Sequence, residues 1–216
     1  MSAPKIAFYF DFVSPYAYLA HFRLLDIAER YGAEIEYHPV DLERLKALAG
    51  NTAPKTRDMP LKLQYGRTDL RRWAARYGVS FTPPAGYGSA RLNTGFFLAL
   101  ERDCASDYLR FAWGLVWGHG RDMACGTVLN DTAGHLGWDA EALAAYSEDQ
   151  AASTRYDAST TAAHARGVFG VPTFIIGNEM WWGNDRLFLV EESLAGKRLP
   201  IECATALSTQ QPEFMK

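Results

Sequence analysis

The sequence predicts an α/β fold in which a small strand-and-helix unit is interrupted by a long all-helical segment. Three observations predict it. Strand-like runs cluster towards the two ends of the chain, with KIAFYF at 5–10 and TFIIGNEMWW at 173–182 the clearest. Helical apolar spacing fills the middle, from about residue 41 to 166. A helical pattern also separates the first two strand-like runs, which is the arrangement of a parallel strand-helix-strand crossover.

The elements follow in order. KIAFYF is apolar and aromatic, as a short buried strand is. Ser14 is a good N-cap, Pro15 suits the first helical position, and Tyr18, Leu19, Phe22, Leu25 and Ala28 repeat at helical spacing until Gly32 stops them. EIEYHPV at 34–40 reads as the second strand. DLRRWAARYG, RLNTGFFLALERD, SDYLRFAWGLVWG and DAEALAAYSEDQAAS each present an apolar helical face, and the Pro- and Gly-bearing segments 52–60 and 82–89 read as loops between them. Gly177 and Asn178 form a two-residue hairpin turn between two apolar runs, and a last helix covers about 184–195. This order matches a thioredoxin-like fold with an inserted all-helical domain. Residues 1–42 and 167–216 make the discontinuous first domain and 43–166 the insertion.

Composition narrows the function. The 216 residues are 48% hydrophobic and 22% charged with a net charge of −3, so the chain forms a core and offers no basic field to nucleic acid. No apolar run approaches the roughly 18 residues of a membrane span. The opening MSAPKIAFYFDF turns acidic too early for a signal peptide, so the expected location is cytoplasmic. Cys104, Cys125 and Cys203 form no CxxC pair and read as reduced thiols packed as small hydrophobes. His21, His38, His119, His135 and His164 show no metal-ligand spacing, so no metal is expected.

Three motifs carry the chemistry. DFVSPYAYL places the Ser14 hydroxyl where a strand gives way to a helix, and the N–H groups and dipole there favour an anion. A plain helix cap is the alternative. GVFGVPTF puts Val171-Pro172 just before a strand, the place for a cis-proline loop beside the first helix; an ordinary trans turn is the alternative. WWGNDRL opens the last helix with Gly183, Asn184 and Asp185, where simple capping is again the alternative.

Together with DLERLKALAGN, DLRRWAARYG and FAWGLVWG, these motifs resemble the 2-hydroxychromene-2-carboxylate isomerases of bacterial aromatic degradation, which group with the kappa-class glutathione transferases and share the DsbA fold. The resemblance runs over nearly the whole chain. It implies glutathione as cofactor, Ser14 as the catalytic serine, and Val171, Trp182, Gly183, Asn184 and Asp185 as glutathione-binding residues, with Asp185 meeting the γ-glutamyl amine. It implies substrate contacts at Lys46, Arg57, Thr56 and Tyr87, although relatives can carry Asn at the position of Thr56. Asn51, Lys62 and Asp69 match positions in kappa-class transferases. The implied substrate is a small aromatic chromene or pyruvate of the naphthalene-degradation type, and the implied assembly a homodimer.

The implied reaction interconverts 2-hydroxychromene-2-carboxylate and trans-o-hydroxybenzylidenepyruvate by thiolate addition, bond rotation and elimination. A thiol near pKa 8.5 must be lowered by about two units, roughly 2.7 kcal/mol, to be largely charged at neutral pH. A Ser14 hydrogen bond and the helix dipole supply that order of energy. Serine is then a hydrogen-bond donor and not the nucleophile. The alternatives are a kappa-like glutathione transferase that releases a conjugate and a glutathione-binding module without catalysis. A DsbA-type oxidoreductase is disfavoured because Ser14-Pro15-Tyr16-Ala17 contains no cysteine.

Overall fold

A computed structural model describes residues 3–54 and 56–197, without the side chain of Arg57. Cys203 and residues 198–216 of the expected first domain lie outside these residues. The chain runs β1 (Lys5–Phe10), α1 (Pro15–Tyr31), β2 (Glu34–Pro39), α2 (Leu42–Leu48), α3 (Pro60–Tyr77), α4 (Ala90–Glu101), α5 (Ala105–Trp113), α6 (Gly126–His135), α7 (Ala140–Glu148), α8 (Gln150–Ala165), β3 (Thr173–Ile176), β4 (Glu179–Trp182) and α9 (Leu187–Leu194). Among the described residues no helix is long and apolar enough to cross a membrane.

The four strands form one mixed sheet in the order β2-β1-β3-β4. β1 and β2 are parallel across α1, while β3 runs antiparallel to β1 and to its hairpin partner β4. Gly177, at φ 59°, supplies the left-handed residue of the hairpin turn. β1 is buried from Ile6 to Phe10, as its central place requires. Phe8 stacks on Phe10 and Phe174 with ring centroids 5.4 Å apart in both pairs. Phe10 meets Phe96 of α4 edge-on at 5.1 Å and Trp113 of α5 at 5.4 Å. The principal core therefore runs without a break from the sheet into the helical segment. Each such aromatic contributes on the order of 1.5–3 kcal/mol by burial.

The helical segment differs from its sequence pattern in places. DAEALAAYSEDQAAS is two helices, because Asp149 adopts an extended conformation and its carboxylate accepts the Ala151 N–H at 2.5 Å, capping α8. SDYLRFAWGLVWG is α5 followed by a π turn at Gly114–Gly118. α2 and α6 carry too short an apolar pattern to stand out by periodicity. The expected last helix begins as a 3-10 turn, Asn184–Arg186, before α9. The cysteines also need correction. Cys104 is half-buried against the core and Cys125 is exposed, because it precedes α6 at the surface.

Candidate active site

Strand register brings three distant segments to one end of the sheet. β1 pairs with β3 through Tyr9 and Thr173, so one step further sets Pro172 beside Phe10, just before the turn to Ser14. On the other side of β3, Thr173 pairs with Trp182, and the Gly183 N–H donates to the Pro172 carbonyl at 2.9 Å. Val171-Pro172 is cis. The α1 entrance, the cis-proline loop and the Gly183 turn thus lie side by side, with the 3-10 turn packed on α1.

Ser14 is the N-cap of α1, extended at φ −92° and ψ 111°, and its hydroxyl oxygen accepts the Ala17 N–H at 3.2 Å. Capping occupies a lone pair and leaves the hydroxyl proton uncommitted to any described acceptor. Pro15 has no N–H, and no acidic residue stands in the first turn to oppose an anion. Ser14 is only 5% exposed, enclosed by the surrounding segments.

The loop before Ser14 is held rigidly. Phe12 N–H donates to Asn93 Oδ1 at 3.3 Å, Val13 N–H to Asp11 Oδ1 at 3.0 Å, and Ser14 N–H to the Asp11 carbonyl at 3.0 Å. The Phe12 carbonyl accepts Trp117 Nε1–H at 2.8 Å. In the next turn, Tyr16 donates its hydroxyl to Asp69 of α3 at 2.9 Å. Burial and the Asp69 carboxylate both push the Tyr16 phenol up, so it stays a donor.

The neighbouring segments are less fully hydrogen-bonded among the described residues. Val171 is buried in the cis-proline loop, and Gly183 sits at φ 108°, where a Cβ would stand 2.6 Å from Asp185 Oδ1. Asn184 is 2% exposed, yet neither its Nδ2 nor its Oδ1 has a partner among the described residues. Burial pushes the neighbouring Tyr77 phenol up and Asn184 pulls it partly back, but the two do not reach hydrogen-bond geometry. Asp185 is exposed and pairs with Arg186 at 2.5 Å. Trp182 is 54% exposed and meets Phe169 edge-on at 5.0 Å. A Cβ at Gly170 would stand 2.8 Å from Trp182 Nε1, so glycine there lets the indole lie over the loop.

The residues assigned to substrate are spread more widely. Lys46 is exposed in the last turn of α2, and Asn51, just beyond, donates its N–H to the Lys46 carbonyl at 2.9 Å. Tyr87 is 49% exposed and meets Trp117 edge-on at 6.2 Å, one contact from the Phe12 carbonyl. Thr56 and Arg57 belong to a 3-10 turn, Thr56–Asp58, ahead of α3; Thr56 is exposed and forms no hydrogen bond to Ser14 or Lys46. Lys62 is exposed on α3. Among the described residues no group of three or more His, Cys, Asp or Glu is placed to hold a metal ion.

Sequence reasoning overlooked Asp11, Asn93 and Trp117, which build the floor beneath Ser14. Asp11 and Asn93 are polar residues within apolar patterns, and that incongruity was the available signal. Trp117 was seen only as part of a helical face.

The DSBA-like thioredoxin domain model matches residues 5–195. A 2-hydroxychromene-2-carboxylate isomerase of Pseudomonas putida is 43% identical over 189 residues, covering 88% of this chain and 93% of that protein. A solved structure of a 2-hydroxychromene-2-carboxylate isomerase superposes with a TM-score of 0.86 at 43% identity, covering 89% of this chain and 95% of that one. A glutathione S-transferase kappa 1 of Caenorhabditis elegans is 36% identical over 83 residues, 38% of this chain and 35% of that protein.

Proposed function

The chain belongs to the DSBA-like thioredoxin domain family and, within it, to the 2-hydroxychromene-2-carboxylate isomerases, and from that premise we propose a glutathione-dependent interconversion of 2-hydroxychromene-2-carboxylate and trans-o-hydroxybenzylidenepyruvate. The observation that carries the reading is the uncommitted Ser14 hydroxyl proton at the mouth of α1, beside a cis-proline loop.

The residues fit glutathione. Asn184 has a buried amide without a partner among the described residues, Val171 offers its backbone next to cis Pro172, and Gly183 and Asp185 stand near them. Bound there, glutathione would supply a thiolate able to add reversibly to the conjugated double bond and make it rotatable. Ser14 donates a hydrogen bond to the sulfur, keeping its own proton, and the α1 dipole favours the negative form. The rigid loop beneath Ser14 keeps that donor aimed, which avoids reorganisation during reaction. Lys46 and Arg57 provide cations for the substrate carboxylate and for charge developing on the ketone oxygen, with Thr56 and Tyr87 bordering the ring. Trp182 covers the loop that receives the tripeptide.

A homodimer, a cytoplasmic location and a role in naphthalene-type catabolism belong to the same reading and rest on kinship. The similarity to a kappa 1 transferase favours conjugate release as the second reading.

The test is to supply purified protein and catalytic glutathione with the chromene carboxylate and follow its spectrum. Conversion to the trans pyruvate with total glutathione unchanged is the expected result. Accumulation of a stable glutathione adduct would favour the transferase, and tight glutathione binding with no conversion would favour a non-catalytic module.

A further inference from the structure

Asp11 stands at the end of β1, is 3% exposed, and is absent from the chemistry described above. Its Oδ1 accepts the Val13 N–H at 3.0 Å, the Ser89 hydroxyl at 2.7 Å and Asn93 Nδ2 at 2.8 Å; its Oδ2 accepts the Leu42 N–H at 3.0 Å. Burial pushes this carboxyl up, and those hydrogen bonds pull against it. Such a buried group is costly unless its geometry is fully satisfied, as it is here.

The donors come from three separate segments. Val13 adjoins Ser14. Leu42 opens α2, which carries Lys46 one turn later. Ser89 lies two residues beyond Tyr87, immediately before α4, and its hydroxyl is directed to Asp11 and not to a backbone N–H of the helix. We infer that Asp11 is a positioning residue whose carboxylate holds the segments bearing Ser14, Lys46 and Tyr87 in one fixed arrangement. The inference deepens the proposed function and rests on its assignment of those three residues. Asn93 completes the clamp, since it also holds Phe12 N–H and donates to the Tyr156 hydroxyl of α8 at 2.9 Å. The sheet end and the helical segment are thereby set relative to each other through side chains that need not touch substrate.

Asp11→Asn preserves shape but removes one acceptor. Whichever way the amide turns, its NH2 faces either the Leu42 N–H or the donors from Val13, Ser89 and Asn93. Ser89→Ala removes one leg only. Turnover per folded molecule, KM for the chromene carboxylate and glutathione Kd are measured alongside the wild type. Asp11→Asn is expected to lower kcat about tenfold and raise KM about threefold, the scale of a sub-ångström misplacement. Ser89→Ala is expected to raise KM about threefold with kcat within about twofold, since only the Tyr87 side is released. Glutathione Kd should stay within about twofold in both, because the Asn184 wall makes no hydrogen bond to Asp11.

Unchanged kcat and KM in either folded variant, or losses that match the unfolded fraction alone, overturn the inference. If Asp11→Asn does not fold, Ser89→Ala decides. If the wild type itself shows no isomerisation, the functional reading falls while the clamp is judged separately by amide hydrogen exchange. In Asp11→Asn, exchange should quicken together in 12–14, 42–46 and 86–89; quickening in one segment only would count against a shared anchor.

Discussion

Asn93 and Asn184 belong to two different segments around the candidate site and are almost equally buried, at 0% and 2% exposure, yet their amides are treated in opposite ways. Asn93 accepts from Phe12 N–H and donates to Asp11, Ser89 and Tyr156. Asn184 has no partner among the described residues. Buried amides without partners are uncommon and costly, so each asks for an explanation. The side that carries Ser14 is satisfied internally. In the function proposed above, the polar groups of Asn184 are the ones a bound tripeptide would complete.

The sharpest way to break this contrast is to replace both amides by leucine. Asn93→Leu should cost about 3 kcal/mol or more of stability, because it strands the Phe12 N–H and removes a donor from a buried carboxylate. Asn184→Leu should leave the melting temperature unchanged or raised and weaken glutathione binding about tenfold, near 1.4 kcal/mol. Denaturant unfolding and titration calorimetry read both. Equal destabilisation by the two substitutions would dissolve the distinction.

Ser14→Ala tests what the rigid wall is for. Loss of one preorganised donor should lower turnover about a hundredfold, close to 2.7 kcal/mol, and raise the pKa of bound glutathione followed by thiolate absorbance. Loss of the cap should itself cost only about 1 kcal/mol of stability. A large activity loss with an unshifted thiol would assign Ser14 to another step.

A smaller effect comes from below the rigid wall. Burial holds the His21 imidazole at about 3, helped by Arg110, and burial also lowers His38. Their folded pKa values lie beneath the unfolded value of 6.5, so the unfolded state takes up more protons below pH 6.5. Stability is therefore present above that pH and lost as pH falls. Asp11 has the opposite sign: its pKa is raised, so its contribution is present below 3.8 and lost as pH rises through the folded value. Between pH 6 and 5 the loss from His21 alone should be about 1 kcal/mol, and His21→Phe should remove that part of the slope. Equilibrium unfolding of wild type and His21→Phe at the two pH values checks it, and identical slopes in the two proteins would show that His21 is not buried neutral.

Much of the fold was legible in the chain order. Ser14-Pro15 and Gly32 marked both ends of α1, and Gly177-Asn178 marked the hairpin, since these residues act through local backbone chemistry. The split at Asp149 and the π turn after Trp113 were not legible, because an apolar face continues across both breaks. The motifs around Ser14, Val171 and Asn184 were visible as separate segments, whereas the link from Tyr87 through Trp117 to Phe12 was not.

By itself, then, the sequence determined which elements form and which segments carry reactive or unusual groups, because caps, turns and apolar periodicity are decided within a few residues. Tertiary structure alone decided which polar groups are paired. Asp11 and Asn93 are separated by 82 positions and meet at 2.8 Å only because strand register and helix packing close that loop. Asn184 is buried without a partner among the described residues for the same reason: its turn packs on α1 and α9 with Tyr77 of α3 nearby, and no local pattern encodes their sum.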